Sequence, residues 1–305
     1  MPATRFKCPD GTTIPIKNCL EKCPFNQRCI ARPAITALAK GVGNRKLNQF
    51  SVTEFLRSTR ETYLMKLYNY PVDPFKLVLA AQGTALHNFN EDVVKDKSWL
   101  ITEERLYNEI ASGQIDSYGY IFNNQELVIC DYKLTTTYKI AKAMGIGYNI
   151  EKTDEVYKTG PKKGTFKTKK VLSNSKTKSR MDWALQQNFY RMLLEEQGYK
   201  VDGMYIQAYA RDFSSTTPKY GINKPMNIIK LNKISDHWLK IWFKEKQKRI
   251  TEALEKRELP PICNAKETWN GLKCEKFCDV ADICQKFQQE KQEIKSNKQI
   301  HTQSA

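Results

Sequence analysis

The sequence lacks any long hydrophobic run, and it contains only three histidines among its 305 residues. No apolar stretch approaches the ~20 residues that cross a bilayer, and the first residues, MPATRFKCPDGTT, lack the apolar core of a secretory signal. These absences predict a soluble protein of the cytoplasm. One of the histidines, His87, lies in the stretch GTALHNFNEDVVKDK. Taken alone, it is more typical of an ordinary helical residue than of a metal ligand.

The charge balance is strongly basic, with 50 Lys and Arg against 33 Asp and Glu and a formal net charge of +17. Such a surplus either keeps a protein soluble or attracts a polyanion, of which nucleic acid is the commonest. Residues 157–180 carry nine basic residues and no acidic one. This segment is either a solvated loop or an arm that grips phosphates.

Nine cysteines are many for a chain without an export signal, and a reducing compartment disfavours disulfides, so metal binding is favoured. Eight of them form two sets with the same spacing, C-x10-C-x3-C-x5-C. The N-terminal set is Cys8, Cys19, Cys23 and Cys29, and the C-terminal set is Cys263, Cys274, Cys278 and Cys284. Four thiolates suit a tetrahedral zinc ion or a cubane iron–sulfur cluster, and the spacing does not choose between them. The ninth, Cys130, lies in an apolar strand and is expected in the core.

Hydrophobic periodicity predicts an order of helix, three strands, helix and two strands in the middle of the chain. This order indicates a mixed α/β core, in which helices flank a small sheet. The predicted core helices are 82–95 and 181–198, of which the second is ended by Gly198. The predicted strands are 103–111, 113–122, 126–135, 200–211 and 225–234. Further helices are predicted over 51–70 and 235–258.

Two of the predicted strands carry residues suited to metal chemistry. Asp116 lies on the second strand, and Asp131 and Lys133 lie on the third, where residues two apart point to the same face. If the two strands form a hairpin, Asp116 approaches Asp131. Paired carboxylates suit Mg²⁺ or Mn²⁺, and an adjacent lysine can orient a water molecule. The alternative is an ordinary acid–base pair at a strand end.

Four short motifs follow one another on the predicted helix, strand, strand and helix. They are G-x-x-x-H at Gly83–His87, G-x-x-D at Gly113–Asp116, D/E-x-K at Asp131–Lys133 and Q-x-x-x-Y at Gln186–Tyr190. Together they resemble the RecB-type branch of the PD-(D/E)XK nuclease superfamily, over about residues 50–285. That branch includes the nuclease domains of AddAB-type recombination enzymes and the CRISPR-associated adaptation nucleases.

The resemblance implies a restriction-endonuclease-like core and a role for each motif. The implied ligands of Mg²⁺ or Mn²⁺ are His87, Asp116, Asp131 and the backbone carbonyl of Tyr132. Lys133 would position the nucleophilic water. Gln186 and Tyr190 would shape the site or contact the DNA backbone, or would simply pack a helix face on the sheet.

Many members of the family also hold a four-iron four-sulfur cluster, which uses one cysteine before the His motif and three near the C-terminus. The segment CEKFCDVADIC resembles that triplet, but Arg60 or a neighbour stands where the lone cysteine is expected. Because the spacing repeats intact, we predict two self-contained sites. The C-terminal set favours iron–sulfur, and zinc is a rival at both ends. The predicted organisation is a cysteine module over 1–40, a nuclease core over 50–258 with a basic insertion at 139–180, a cysteine module over 259–285 and a polar tail over 286–305.

The sequence therefore predicts a Mg²⁺- or Mn²⁺-dependent deoxyribonuclease of phage or bacterial origin, an exonuclease or end-processing enzyme acting on single-stranded DNA or duplex ends. One alternative is a non-catalytic nucleic-acid-binding module on a nuclease-like fold, against which the intact Asp116, Asp131 and Lys133 argue. Another is a zinc-dependent adaptor that binds protein, which leaves the ordered motifs unexplained. No helicase P-loop is present, so unwinding would require a helicase or recombination partner.

Overall fold

The computed structural model describes residues 3–42, 47, 49–92, 100–123, 125–174 and 180–290. It is a mixed α/β structure, as predicted. Its helices are α1 (Ile16–Glu21), α2 (Arg32–Lys40), α3 (Val52–Phe55), α4 (Thr59–Leu67), α5 (Pro74–Asp92), α6 (Thr137–Met144), α7 (Met181–Glu196), α8 (Asp236–Lys256), α9 (Ala265–Thr268) and α10 (Leu272–Lys276). Residues 281–290 are also helical. Its strands are β1 (Arg5–Lys7), β2 (Thr13–Pro15), β3 (Pro71–Val72), β4 (Leu100–Tyr107), β5 (Ser112–Gly119), β6 (Val128–Thr135), β7 (Gly147–Val156), β8 (Phe166–Ser173), β9 (Gly203–Ala210) and β10 (Met226–Leu231). Within the described ranges, no helix is both long and apolar enough to cross a membrane.

One of two compact units is assembled from three chain segments, Met1–Ala85, Tyr107–Gly113 and Asp236–Ala305. Its sheet has the order β2-β1-β3, in which β1 pairs antiparallel with β2 and parallel with β3. Phe6 and Leu64 of the first segment and Val280 of the third are buried in one hydrophobic core. Each such side chain contributes about 1.5–3 kcal/mol on burial, so both cysteine-rich ends are anchored on the same core.

The other compact unit is assembled from Leu86–Leu106 and Gln114–Ser235 and holds most of a five-stranded sheet of order β10-β9-β6-β5-β4. Strand β6 pairs antiparallel with β5 and parallel with β9. Its first four residues are all buried, which fits the continuous apolar run seen in the sequence. Helix α7 packs on β6 and β9 and buries Trp183 and Phe189. It ends just before Gly198, whose φ of +87° confirms the predicted glycine after the helix.

Two predicted helices differ from the observed ones. The helix predicted over 51–70 is divided into α3 and α4, because Ser51 forms a capping box with Glu54 and the Ser58 side chain accepts a hydrogen bond from the Glu61 backbone nitrogen. Each serine starts a helix of its own. The helix predicted over 82–95 begins earlier, at Pro74. Proline is tolerated there because the first turn of a helix does not need its backbone N–H. Its last three predicted residues lie outside the described ranges.

The predicted basic insertion contains regular structure. Helix α6 is followed by a hairpin in which β7 and β8 pair antiparallel. Lys167 and Lys169 on β8 face acidic residues on β7, with Nζ atoms 2.8 Å from Glu155 and 3.8 Å from Glu151. Part of the positive charge in the segment is therefore neutralised within the hairpin. Residues 175–179 of the predicted arm lie outside the described ranges.

Candidate active site

The two aspartates predicted to converge lie side by side on the central strands. Ser117 on β5 pairs with Cys130 on β6, so Asp116 and Asp131 are the next residues along the antiparallel hairpin. Both carboxylates are buried, at 7% and 1% exposure. The backbone nitrogen of Tyr132 donates a hydrogen bond of 2.8 Å to Asp116 Oδ2, which fixes the orientation of that carboxylate.

Asp131 is held by the lysine two residues further along the same strand. Lys133 Nζ donates to Asp131 Oδ1 at 2.9 Å and lies 2.7 Å from Oδ2. The ammonium group therefore neutralises both oxygens of this buried carboxylate. A buried charge is costly unless it is paired in this way.

His87 on α5 and Glu103 on β4 extend the same cluster. His87 Nδ1 lies 3.1 Å from Glu103 Oε1 and 3.5 Å from Asp116 Oδ2. Among the described residues, these three side chains form the one group of histidines, cysteines and acids whose ligand atoms all lie within 4.8 Å of one another. The ring of Tyr132 stands edge-on to the imidazole, with 6.2 Å between the ring centroids. The cluster therefore combines one imidazole with several carboxylates, a donor set that suits Mn²⁺ or Mg²⁺.

The crowding of acidic groups alters their protonation. Burial and the nearby Asp131 carboxylate raise the pKa of Asp116 to about 8, against the opposing charges of Lys133 and His87. The hydrogen bond to Glu103 and the charges of the aspartates raise the pKa of His87 above its ordinary value, although burial opposes this. Burial lowers the pKa of Lys133, but the aspartate charges outweigh it and raise the net value, so the ammonium form is retained. A divalent cation would relieve the repulsion between the carboxylates.

Gln186 and Tyr190 on α7 reach the cluster from the helix that covers the sheet. Gln186 Nε2 donates to Tyr190 Oη at 2.9 Å and lies 3.4 Å from Asp131 Oδ1. Both side chains are buried, and burial together with the charge of Asp131 raises the pKa of the Tyr190 phenol. Their burial favours a role in positioning Asp131 over direct contact with DNA.

Glu103 was not identified from the sequence, because no motif marks it. Its backbone has φ of +51°, in the left-handed region that non-glycine residues avoid. Such a conformation costs of order 1–3 kcal/mol and tends to occur at functional sites. Gln114, two residues before Asp116 on β5, donates to Glu103 Oε2 at 2.7 Å and orients its carboxylate toward His87. Only the pairing of β4 with β5 brings Glu103 to the cluster.

This geometry predicts separate effects of Glu103 on stability and on metal affinity. Glu103→Gly should leave the free energy of unfolding unchanged or increase it, since glycine accepts a positive φ. It should weaken Mn²⁺ binding by about 10–100-fold, the typical effect of losing an outer partner of a metal ligand. Titration calorimetry and denaturant unfolding measure the two quantities.

The matched control is Glu104→Gly, on the same strand with an exposed side chain. It should lower the free energy of unfolding by about 0.5–1 kcal/mol and leave Mn²⁺ affinity intact. Equal Mn²⁺ affinity in the two variants would show that Glu103 does not contribute to the metal site.

The C-terminal cysteine set lines a cavity in the first unit. The cavity has a volume of about 190 Å³, and all four cysteines of the set border it. Cys263 Sγ donates to Ser58 Oγ at 3.0 Å, and Arg60 Nε lies 3.0 Å from Cys284 Sγ. Arg60, found where the resemblance expects a lone cysteine, thus faces the set. Burial raises the pKa of Cys278 to about 11, so this thiol needs a cation to become a thiolate.

Comparisons with known proteins add little to this description. No protein-family model matches the sequence, and no curated protein matches it. Among solved structures, the chain is similar to one titled "Crystal structure of SSO0001", with a TM-score of 0.46 and 14% sequence identity over 82% of this chain and 93% of that one. A likeness at this level assigns neither a fold family nor a function.

Proposed function

We propose that this protein is a Mg²⁺- or Mn²⁺-dependent DNA nuclease with a restriction-endonuclease-like core of the RecB type. The observation that carries the proposal is the convergence of Asp116, Asp131 and Lys133 at one buried point of the sheet. The sequence motifs that resemble the family supply these same residues. An ordinary strand-end ion pair would not bring a second buried carboxylate, a histidine and a glutamate to the same point.

The donor set fits a hard divalent cation. His87, Asp116, Asp131 and the Tyr132 carbonyl would hold it, with Glu103 beside them. When bound, such an ion polarises the scissile phosphate and lowers the pKa of a coordinated water. Lys133 is a quarter exposed and anchored by Asp131, and the remaining hydrogen of its ammonium group would orient the attacking water while its charge offsets negative charge. Gln186 keeps the Asp131 carboxylate in one orientation through its contact with Oδ1.

The cofactor proposed for the C-terminal set is a four-iron four-sulfur cluster. Its four cysteines surround one cavity, which is several times the ~30 Å³ that a water molecule occupies in the liquid. In a zinc tetrahedron with Zn–S bonds of ~2.3 Å, sulfur atoms are about 3.8 Å apart. Within the described residues, no three cysteine sulfurs lie within 4.8 Å of one another. This wider spacing favours the cluster over zinc.

Metal binding is the first test of the proposed active site. Mn²⁺ titrated into anaerobically purified protein should bind at a site that Asp116→Asn and Asp131→Asn each weaken, because each replaces a charged ligand by a neutral amide. Electron paramagnetic resonance of free Mn²⁺ measures the affinity. Identical affinity in the wild type and both variants would exclude this group as the metal site.

The hairpin offers a test of DNA binding within one structural element. Lys162 and Lys163 lie in its turn and Lys170 lies on β8, all exposed, whereas Lys167 and Lys169 face glutamates across the hairpin. Changing the first three to alanine should weaken DNA binding and reduce the slope of log K against log salt by up to about 3, since each phosphate contact contributes about 0.9.

The double variant Lys167→Ala and Lys169→Ala is the control, because these lysines are already partly neutralised. It should change the slope by less than the triple variant does. Fluorescence anisotropy of labelled DNA over a series of salt concentrations measures both. A slope that the triple variant leaves unchanged would make the hairpin a solvated element without a role in DNA binding.

A further inference from the structure

The N-terminal cysteine set is a second cluster of thiols that the proposed nuclease chemistry does not use. Cys8 follows β1, Cys19 lies in α1, and Cys23 and Cys29 lie in the loop between α1 and α2. The guanidinium of Arg28, the residue before Cys29, donates to the carbonyl of Cys19, and Cys19 packs against the core of the first unit. The chain therefore returns from Cys19 to bring Cys29 close to α1, and none of the four thiols forms a disulfide.

The backbone around the two middle cysteines is the same in both sets. Cys19 stands two residues before the end of α1 and Cys23 two residues after it, and Cys274 and Cys278 are placed identically about the end of α10. The same hydrogen bond closes both helices: Lys22 N donates to Asn18 O at 2.9 Å, and Phe277 N donates to Lys273 O at 2.8 Å. The repeat in the sequence is thus a repeat in local structure.

Apolar packing accounts for only part of the stability of this local structure, because Ile16, Cys19 and Leu20 of α1 lie against the core but are only partly buried. Helix α1 has six residues and none of them is buried, and α10 has five residues and none of them is buried. Isolated helices shorter than about 12–15 residues are marginal in water. Small segments with so little core of their own are commonly stabilised by disulfides or by a metal, and these thiols are free.

Polar contacts arrange the remainder of the N-terminal set around α1. Cys8 N donates to Thr12 O at 2.8 Å and Gly11 N donates to Cys8 O at 2.9 Å, in a turn where Gly11 has φ of +85°. The Arg28 guanidinium donates to Cys19 O at 2.5 Å and to Leu20 O at 3.3 Å. These bonds satisfy carbonyls at the end of α1 and bring Cys29, the next residue after Arg28, beside Cys19.

We propose that the N-terminal set binds an iron–sulfur cluster of its own, separate from the one at the C-terminal set, which fixes residues 8–29 to the first unit. The choice of iron over zinc rests on two observations: the backbone around the middle cysteines is shared with the C-terminal set, and among the described residues no three cysteine sulfurs lie within 4.8 Å of one another. The assignment rests on the cofactor proposed for the C-terminal set but not on the nuclease activity.

Iron, zinc and acid-labile sulfide should be measured in full-length protein purified anaerobically. The wild type should contain about eight iron atoms per chain, as two four-iron clusters require. Cys23→Ser should retain about four and lose about half of the visible absorbance. Cys278→Ser should also retain about four, and Cys130→Ala, which removes the buried cysteine outside both sets, should retain all eight.

Each other outcome contradicts the proposal in its own way. About four irons with one zinc in the wild type, and loss of that zinc from Cys23→Ser, would make the N-terminal site a zinc site. An unchanged metal content in Cys23→Ser would show that the N-terminal thiols hold no metal, and loss of all iron from either serine variant would indicate one shared site. If Cys23→Ser does not fold, the wild-type iron and zinc contents still decide. Exposed Cys29 offers a second substitution, Cys29→Ser, with the same expected loss.

Discussion

Asp131→Asn and Lys133→Ala should each reduce the rate of Mg²⁺- or Mn²⁺-dependent DNA cleavage by at least about a hundredfold. Asp131→Asn removes the charge of a proposed metal ligand that is 1% exposed. Lys133→Ala removes the cation that lies 2.9 Å from Asp131 Oδ1 and that would orient the attacking water. Both changes act on the transition state, so DNA binding should be largely intact. Single-turnover cleavage of labelled DNA and an equilibrium binding assay measure the two effects.

Glu126→Gln is the control for these substitutions, because it removes an exposed carboxylate just before β6. Its cleavage rate should stay within about twofold of the wild type. Substitutions of exposed residues away from the site usually change the free energy of unfolding by no more than about 0.5 kcal/mol. Near-normal cleavage by both Asp131→Asn and Lys133→Ala would rule out the proposed catalytic roles of these residues. A parallel loss of DNA binding would instead indicate damage to the fold.

Cys278→Ser should lose the iron of the C-terminal set and lower the unfolding temperature by about 10 °C or more. Cys278 and Cys284 pack against the core of the first unit, and helix α8, which leads to the set, packs on α4. Loss of a structural metal removes several kcal/mol, and each kcal/mol shifts the unfolding temperature of a chain of this size by about 2–4 °C. Thermal unfolding followed by circular dichroism, with iron analysis of the same sample, measures both effects.

The fall in unfolding temperature should be larger in Cys278→Ser than in Cys23→Ser. The C-terminal set adjoins Ser58 and Arg60 of the core helices, and Arg60 also donates to the Pro260 carbonyl at 2.6 Å. Ser58→Ala is the control, because it removes the hydrogen bond from Cys263 but no ligand, and it should retain all of the iron. Full iron content and an unchanged unfolding temperature in Cys278→Ser would contradict a metal at this set.

Much of the candidate site could be predicted because it depends on local patterns. Alternation along 113–122 and the apolar run before Asp131 specify two strands, and their pairing as a hairpin places Asp116 beside Asp131. Helical spacing likewise puts Gln186 and Tyr190 on one face of α7, within hydrogen-bonding distance of each other. Local chemistry also predicted the end of α7 at Gly198.

Other features could not be predicted because they depend on contacts between distant segments. Glu103 joins His87 only through strand pairing and an unusual backbone conformation. The partial neutralisation of Lys167 and Lys169 depends on the register of the hairpin, which a basic run does not reveal. The helix predicted over 51–70 is divided because Ser58 acts as an N-cap in the middle of an apolar pattern.

Cleavage of end-labelled DNA by the anaerobically purified wild type, with and without Mn²⁺, tests the central claim most directly. The experiment should use single-stranded and blunt double-stranded DNA, with Asp131→Asn run alongside to exclude a contaminating nuclease. We predict that Mn²⁺ produces shortened labelled products from at least one substrate, that a chelator abolishes them and that Asp131→Asn does not form them. Products that appear without a divalent metal, or equally with Asp131→Asn, would contradict the account, as would intact DNA in the presence of protein shown to bind Mn²⁺.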